Sequence, residues 1–94
     1  MPNIEIHGLD SDDAEKIEDR IRVIFAPAPY AGEMVVTIAF DSCRDLKGRN
    51  FPFLRVFNTC DEKNEEIILV LRREFGKELY IEFQILEAFY PMEE

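Results

Sequence analysis

Apolar and polar residues alternate along Asn3–Gly8, with Ile4 and Ile6 facing one way and Asn3, Glu5 and His7 the other. A period of two is the mark of a strand with one covered face. Asp10 and Ser11 then offer side-chain oxygens to a helix start, and Asp12, Asp13 and Glu15 suit its positive end. Ala14, Ile17, Ile21, Ile24 and Phe25 fall on one stripe, so a helix is predicted to run to about Phe25. Pro27, Pro29 and Gly32 interrupt it, after which Met34–Phe40 reads as a strand apolar on both faces. Phe53–Asn58 is a third strand, since Pro52 is tolerable only at a strand's start or edge. Thr59 with Glu62 matches a capping box, opening a helix whose stripe includes Ile67, Ile68, Leu71 and Phe75 and which Gly76 ends. Arg72 and Arg73 complement the negative end of its dipole. Leu79, Ile81, Phe83 and Ile85 alternate with Tyr80, Glu82 and Gln84 as a fourth strand, after which the sequence closes with Phe89–Glu94, its last few residues expected to fray.

The order is therefore βαββαβ, and its halves align at a shift of fifty positions: Ile4 with Leu54, Ile6 with Val56, Ile17 with Ile67, Ile21 with Leu71, Phe25 with Phe75. A constant shift preserves strand-to-helix spacing and the phase of the core-facing residues, as two copies of a βαβ unit require. The expected fold is an α+β two-layer sandwich, a duplicated βαβ with a four-stranded mixed sheet and two helices on one face. Residues 1–94 are expected to form a single domain, because one core organises chains of this length.

Composition narrows the function. Twenty acidic residues against eleven basic give a net charge of −9, the wrong sign for a bulk nucleic-acid binder. Met34–Phe40 is far short of the roughly 20 residues of a membrane span, and the N-terminus has no secretory pattern, so neither membrane nor nucleic acid is an expected partner and a cytoplasmic location is expected. Cys43, Cys60 and the single His7 have no metal-ligand spacing. Both cysteines read as reduced and structural, His7 reads as a partly exposed structural residue, and no metal or cofactor is expected. One His and two Ser leave little material for a Ser-His-Asp arrangement.

Two features carry candidate chemistry. Ser42–Asn58 holds Arg44, Lys47, Arg49 and Arg55 against the single Asp45, a local balance of +3 in a chain whose remainder totals −12. These cations either grip a small anionic substrate, for which guanidinium geometry is suited, or offset the protein's own acidic helices. The second feature is Pro2 at the head of the first strand. Removal of Met1 makes it a terminal secondary amine. Such amines titrate at roughly 7.7–8.0 and lower when buried or beside cations, which supplies a neutral base near physiological pH. A base of this kind takes a proton from carbon next to a carbonyl and returns it elsewhere, while a cation holds the carboxylate and the developing enolate. Tyr90, with Phe89, offers an aromatic wall for an apolar pocket, or simply packs onto the sheet.

Met1-Pro2-Asn3-Ile4-Glu5-Ile6-His7-Gly8, followed by an acid-started helix and a second βαβ unit, resembles the tautomerase superfamily, which includes oxalocrotonate tautomerase and macrophage migration inhibitory factor. Phe51–Phe57, Tyr80–Ala88 and Tyr90 are similar to bacterial members of that superfamily. The resemblance spans nearly the whole chain. It implies a keto-enol tautomerase with Pro2 as general base on a small enolisable keto acid, in a homotrimer whose sheets pack around an axis. It departs from the superfamily pattern at Asp12 and Asp13, where oxalocrotonate enzymes place an arginine, and at Ala31-Gly32-Glu33, where cytokine-like members place a lysine. Substrate anchoring would then fall to Arg44, Lys47, Arg49 or Arg55, from this subunit or a neighbouring one. Two alternatives stand beside this reading. One is a non-catalytic oligomeric binding or structural protein on the same scaffold. The other is a ferredoxin-like module in which the strands flanking Ser42–Asn50 form a hairpin.

Overall fold

The computed structural model describes residues 2–58 and 64–85. Its elements are β1 (Asn3–His7), α1 (Ser11–Phe25), a 3-10 turn (Ala31–Glu33), β2 (Val35–Ile38), β3 (Phe53–Asn58), α2 (Asn64–Phe75) and β4 (Tyr80–Ile85). The strands form one sheet in the order β2-β1-β3-β4. β1 runs parallel to β2 and β3 parallel to β4, so each half is a βαβ unit, and the halves join through antiparallel β1 and β3. This is the expected α+β sandwich. β1 lies between β2 and β3, so the hairpin of the ferredoxin-like alternative is not formed.

The register explains the fifty-residue shift. Ile4 faces Val56 and Ile6 faces Leu54, and exchanging the halves at that shift turns one pair into the other. Glu5, whose counterpart is Arg55, lies opposite Arg55 itself, on the pseudo-twofold axis. Residues two apart on a strand share a face, so Ile4, Ile6, Leu54 and Val56 all meet the helices. With Ile17, Ile21, Phe25, Ile67, Leu71 and Phe75 they form one buried cluster, none of them more than 9% exposed. Each such side chain contributes about 1.5–3 kcal/mol relative to exposure.

Local signals start α1 and stop both helices where the sequence pattern places them. Asp10 caps α1, its side chain accepting from the Asp13 amide at 2.8 Å. α2 ends at Phe75, and the turn into β4 is closed by the amides of Glu78 and Leu79, both 2.9 Å from the Phe75 carbonyl. The Thr59/Glu62 capping box falls outside the described residues. Among the described residues no helix is long and apolar enough to cross a membrane.

The segment read as a strand apolar on both faces is a shorter strand with a mixed outer face. β2 covers only Val35–Ile38, Thr37 stands on the outer face beside Val35, and Phe40 is 83% exposed beyond its end. The chain leaves the sheet there because Asp41 turns back to the end of β1. The connection that follows has a small hairpin of its own. Arg44 bridges Asn50, the Asp45 amide donates to Arg49 O and the Gly48 amide to Asp45 O, each at 2.9 Å.

Candidate functional site

The two ends of β1 present different chemistry. At its head Pro2 is buried, and its carbonyl accepts the Val35 amide at 3.0 Å, which ties the start of β1 to the start of β2. A hollow of about 170 Å³ opens at the same end, lined by Ile21, Arg22, Phe25, Ala31, Met34 and Val36. Arg22 is the cation there, held by Glu18 through Nε at 2.9 Å and Nη2 at 2.5 Å. Pro2 is not part of that lining.

At the other end, His7 is 9% exposed on the sheet face turned away from the helices. The connection after β2 covers it. His7 Nδ1 meets Asp41 Oδ2 at 2.7 Å and Nε2 meets Glu5 Oε1 at 2.8 Å. The Gly8 amide donates to the second Asp41 oxygen at 3.1 Å. Phe53 stacks on the imidazole with ring centres 4.7 Å apart and planes within 4°. Cys43 comes close enough to hydrogen-bond Asp41, and the Phe51 amide holds the Cys43 carbonyl at 2.8 Å. Arg55 pairs with Glu82 on the same face and lies 5.1 Å over the Phe53 ring.

A neutral imidazole has one N–H, whereas both partners of His7 are carboxylates that accept when ionised. The arrangement therefore favours the imidazolium, with both nitrogens donating. Burial opposes the charge, but hydrogen bonds and attraction from Asp41 and Glu5 outweigh it, and the His7 pKa is raised above the ordinary 6.5. The hydrogen bond from His7, with help from the Gly8 amide and against desolvation, lowers the Asp41 pKa below 3.8. Burial, the Asp41 charge and the hydrogen bond to Asp41 raise that of the Cys43 thiol, against a smaller opposing effect of Arg55. A raised thiol whose hydrogen bond goes to a carboxylate is not an activated nucleophile.

These shifts give a signed pH dependence. A raised His7 pKa contributes stability that is complete below about 6.5 and lost as pH climbs through the folded value, while a lowered Asp41 pKa contributes stability complete above about 3.8 and lost as pH falls through its folded value. In metal-free buffer the urea midpoint should hold a plateau between those limits and decline on the alkaline side, and His7→Gln should remove the part of that decline below about pH 9, above which the raised Cys43 thiol adds a loss of its own. Identical wild-type midpoints at about pH 6 and pH 8.5 would mean that His7 is not held charged.

Among the described residues, the sequence-derived site residues do not converge within one chain. Arg44, Lys47 and Arg49 lie in the connection at the His7 end, separated from Pro2 by the length of β1, roughly 17 Å at about 3.3 Å per residue. Arg55 stands midway, opposite Glu5, and Tyr90 lies outside the described residues. Asp45 organises the basic loop by accepting the Lys47 amide at 2.9 Å, the Arg49 amide at 3.0 Å and Arg49 Nε at 2.7 Å. Arg44 donates to the Gly48 carbonyl at 3.1 Å. His7, expected to be partly exposed, is buried because Asp41 and Cys43 fold over it. Sequence reasoning missed Asp41, Cys43 and Arg22. The first two stand 34 and 36 positions from His7, and only the sheet order brings them back to it.

No protein-family model and no curated protein sequence matches the chain. Solved structures do. A domain of unknown function (DUF1904) from Sebaldella termitidis is similar at a TM-score of 0.55 and 16% identity, over 92% of this chain and 89% of that one. A protein of unknown function from Vibrio cholerae O1 biovar eltor is similar at a TM-score of 0.55 and 14% identity, over 95% of this chain and 82% of that one. A macrophage migration inhibitory factor homologue from Prochlorococcus marinus aligns over 93% of this chain and 89% of its own at 12% identity, with a TM-score of only 0.37. The first two likenesses establish a shared fold, and at such identities they speak for shape and not for chemistry.

Proposed function

We propose that the protein is a keto-enol tautomerase that uses Pro2, freed by removal of Met1, as the general base on a small enolisable keto acid. The observation that carries this reading is the burial of Pro2 at the head of β1, with its carbonyl fixed to β2. A secondary amine in that position is oriented by the sheet, through the bond between its own carbonyl and the Val35 amide. Low-dielectric surroundings favour its neutral, proton-accepting form. Pro2 takes the proton from the carbon beside the carbonyl and returns it across the enolate. The cation that holds the carboxylate comes from the 42–50 loop of a neighbouring copy, since the same loop of its own subunit sits at the far end of β1. This reading includes a homo-oligomer, a trimer by the resemblance.

A second reading keeps the scaffold without the activity. It is favoured by the state of the cations: Arg49 is committed to Asp45, Arg44 to the Gly48 carbonyl and Arg55 to Glu82. Ketonisation of phenylenolpyruvate or 2-hydroxymuconate decides between them, with intact mass confirming the loss of Met1 and light scattering giving the oligomer. Pro2→Ala should slow the reaction on the order of 100-fold, the low end of general-base contributions. Equal background rates for wild type and variant, or a retained Met1, leave the second reading.

A further inference from the structure

The His7 end of β1 is assembled for a role that neither reading of Pro2 uses. Its polar atoms come from separate parts of the chain: imidazole nitrogen from β1, carboxylate and thiol from the connection after β2. One donor atom from each of His7, Asp41 and Cys43 lies within 4.8 Å of the others. Nitrogen, oxygen and sulfur donors in one small space suit a borderline-soft divalent ion, and three protein ligands leave a fourth tetrahedral position open. We infer that His7, Asp41 and Cys43 bind a zinc-type divalent transition-metal ion, with Glu5 as the outer partner that orients the imidazole.

Each ligand is held in place by something other than its neighbours in the triad. Glu5 accepts from His7 Nε2 at 2.8 Å, which leaves Nδ1 as the coordinating nitrogen. A carboxylate on the far imidazole nitrogen is the usual support of a metal-bound histidine. Phe53 fixes the ring plane by stacking. The Gly8 amide holds Asp41 by Oδ1, so that Oδ2 faces His7. The Phe51 amide anchors the backbone of Cys43. Donor atoms around a tetrahedral ion stand roughly 3.3–3.6 Å apart, so the 2.7 Å contact between His7 and Asp41 must widen by roughly half an ångström. Asp41 can give that much, because its side chain is 40% exposed on a connecting segment.

The charges balance. Counted with both nitrogens of His7 donating to carboxylates and with a neutral thiol, the metal-free group carries a net charge of −1. The incoming dication displaces one proton from His7 Nδ1 and one from Cys43, forms nitrogen, oxygen and sulfur bonds, and releases both protons to solvent. The net charge stays at −1, so binding adds no repulsion at this part of the sheet.

Cobalt(II) replaces zinc with a spectroscopic signature, a near-ultraviolet thiolate-to-metal charge-transfer band that requires sulfur coordination. Reduced, chelator-treated wild type should take up one cobalt ion per chain, develop that band and lose it when zinc is added. Cys43→Ser should abolish the band and Cys60→Ser should leave it intact, with circular dichroism showing that the metal-free variants are folded. Glu5→Gln should keep the band but weaken zinc binding 10- to 100-fold in competition with a chromophoric chelator. This last arm also decides the matter if Cys43→Ser does not fold. No band in wild type at several-fold excess cobalt, a band that survives Cys43→Ser or depends on Cys60, or unchanged zinc affinity in Glu5→Gln each overturns the site. None of these readouts involves Pro2 or turnover, so the fate of the tautomerase reading and that of the metal site are decided separately.

Discussion

Replacing Phe75 with alanine is expected to lower the free energy of unfolding by about 3–5 kcal/mol, the range for a buried aromatic truncated in a packed core. Phe75 closes α2, is fully buried, and is the counterpart of Phe25 in the first half. Two further features make it costly to lose. The Arg20 guanidinium from α1 lies 4.5 Å over its ring, held there by Glu78 at 2.9 Å and by the Glu74 carbonyl at 3.1 Å. The ring therefore joins the C-terminal end of α2 to the neighbouring helix as well as to the sheet. Its backbone carbonyl also closes the turn into β4, so a cavity here opens beside the point where the second βαβ unit reverses. Domains of this size have only about 5–15 kcal/mol of net stability, and one side chain thus accounts for a large share. Urea denaturation should show a much lower midpoint with an unchanged slope. Phe40→Ala, at an 83% exposed position, should stay within about 0.5 kcal/mol of wild type. Comparable small shifts for both variants would show that the fifty-residue shift does not mark the core.

That shift is where the sequence spoke most clearly. Ile17 with Ile67, Ile21 with Leu71 and Phe25 with Phe75 are buried pairs, and the antiparallel register of β1 and β3 obeys the same relation. Periodicity reads well because burial acts on every residue of a helix stripe or strand face. Met34–Phe40 shows the limit. Its run of apolar residues suggested a long strand with two covered faces, but hydrophobicity does not record where the sheet ends. Asp41 does, through its bonds to His7 and the Gly8 amide, and those partners are 34 and 33 residues away.

The candidate chemistry was legible only in part, for a related reason. Pro2 stood out as a candidate because the chemistry proposed for it starts from a position that the sequence displays. The basic loop was visible as a charge imbalance, yet its composition could not show that Asp45 accepts three of the loop's N–H groups. His7 looked ordinary because each of its partners is ordinary. Glu5 is on its own strand face, Phe53 is on the adjacent strand, and Asp41 and Cys43 arrive from a connection with no regular pattern. What makes the group unusual is the topology: β1 in the centre of the sheet, with the end of β2 on one side and the start of β3 on the other.

Gly8 is the residue that lets this happen, and Gly8→Ala is expected to cost about 2–5 kcal/mol and to dismantle the His7 end of the sheet. Its φ of 79° lies in the left-handed region, where a side chain adds about 1–2 kcal/mol. The remainder comes from contact. A Cβ built there would lie 2.9 Å from the Phe51 carbonyl oxygen, 3.0 Å from Pro52 Cα and 3.3 Å from Cys43 Cβ. Two of those neighbours are backbone, so relief requires the connection to move bodily, at about 1–3 kcal/mol for an overpacked site. The movement would carry Cys43 away from Asp41 and pull Asp41 from the Gly8 amide. Gly48 supplies a matched control, with a φ of 81° and nothing within 4 Å of its missing Cβ. Gly48→Ala should therefore show the backbone cost alone, about 1–2 kcal/mol, with the His7 ring resonances unmoved in an NMR spectrum. Gly8→Ala should lose more stability than Gly48→Ala and shift those resonances toward the free imidazole. If the two variants lose the same stability and leave His7 alike, the connection does not approach β1 closely enough to cover His7, and the grouping of His7, Asp41 and Cys43 is not formed in solution.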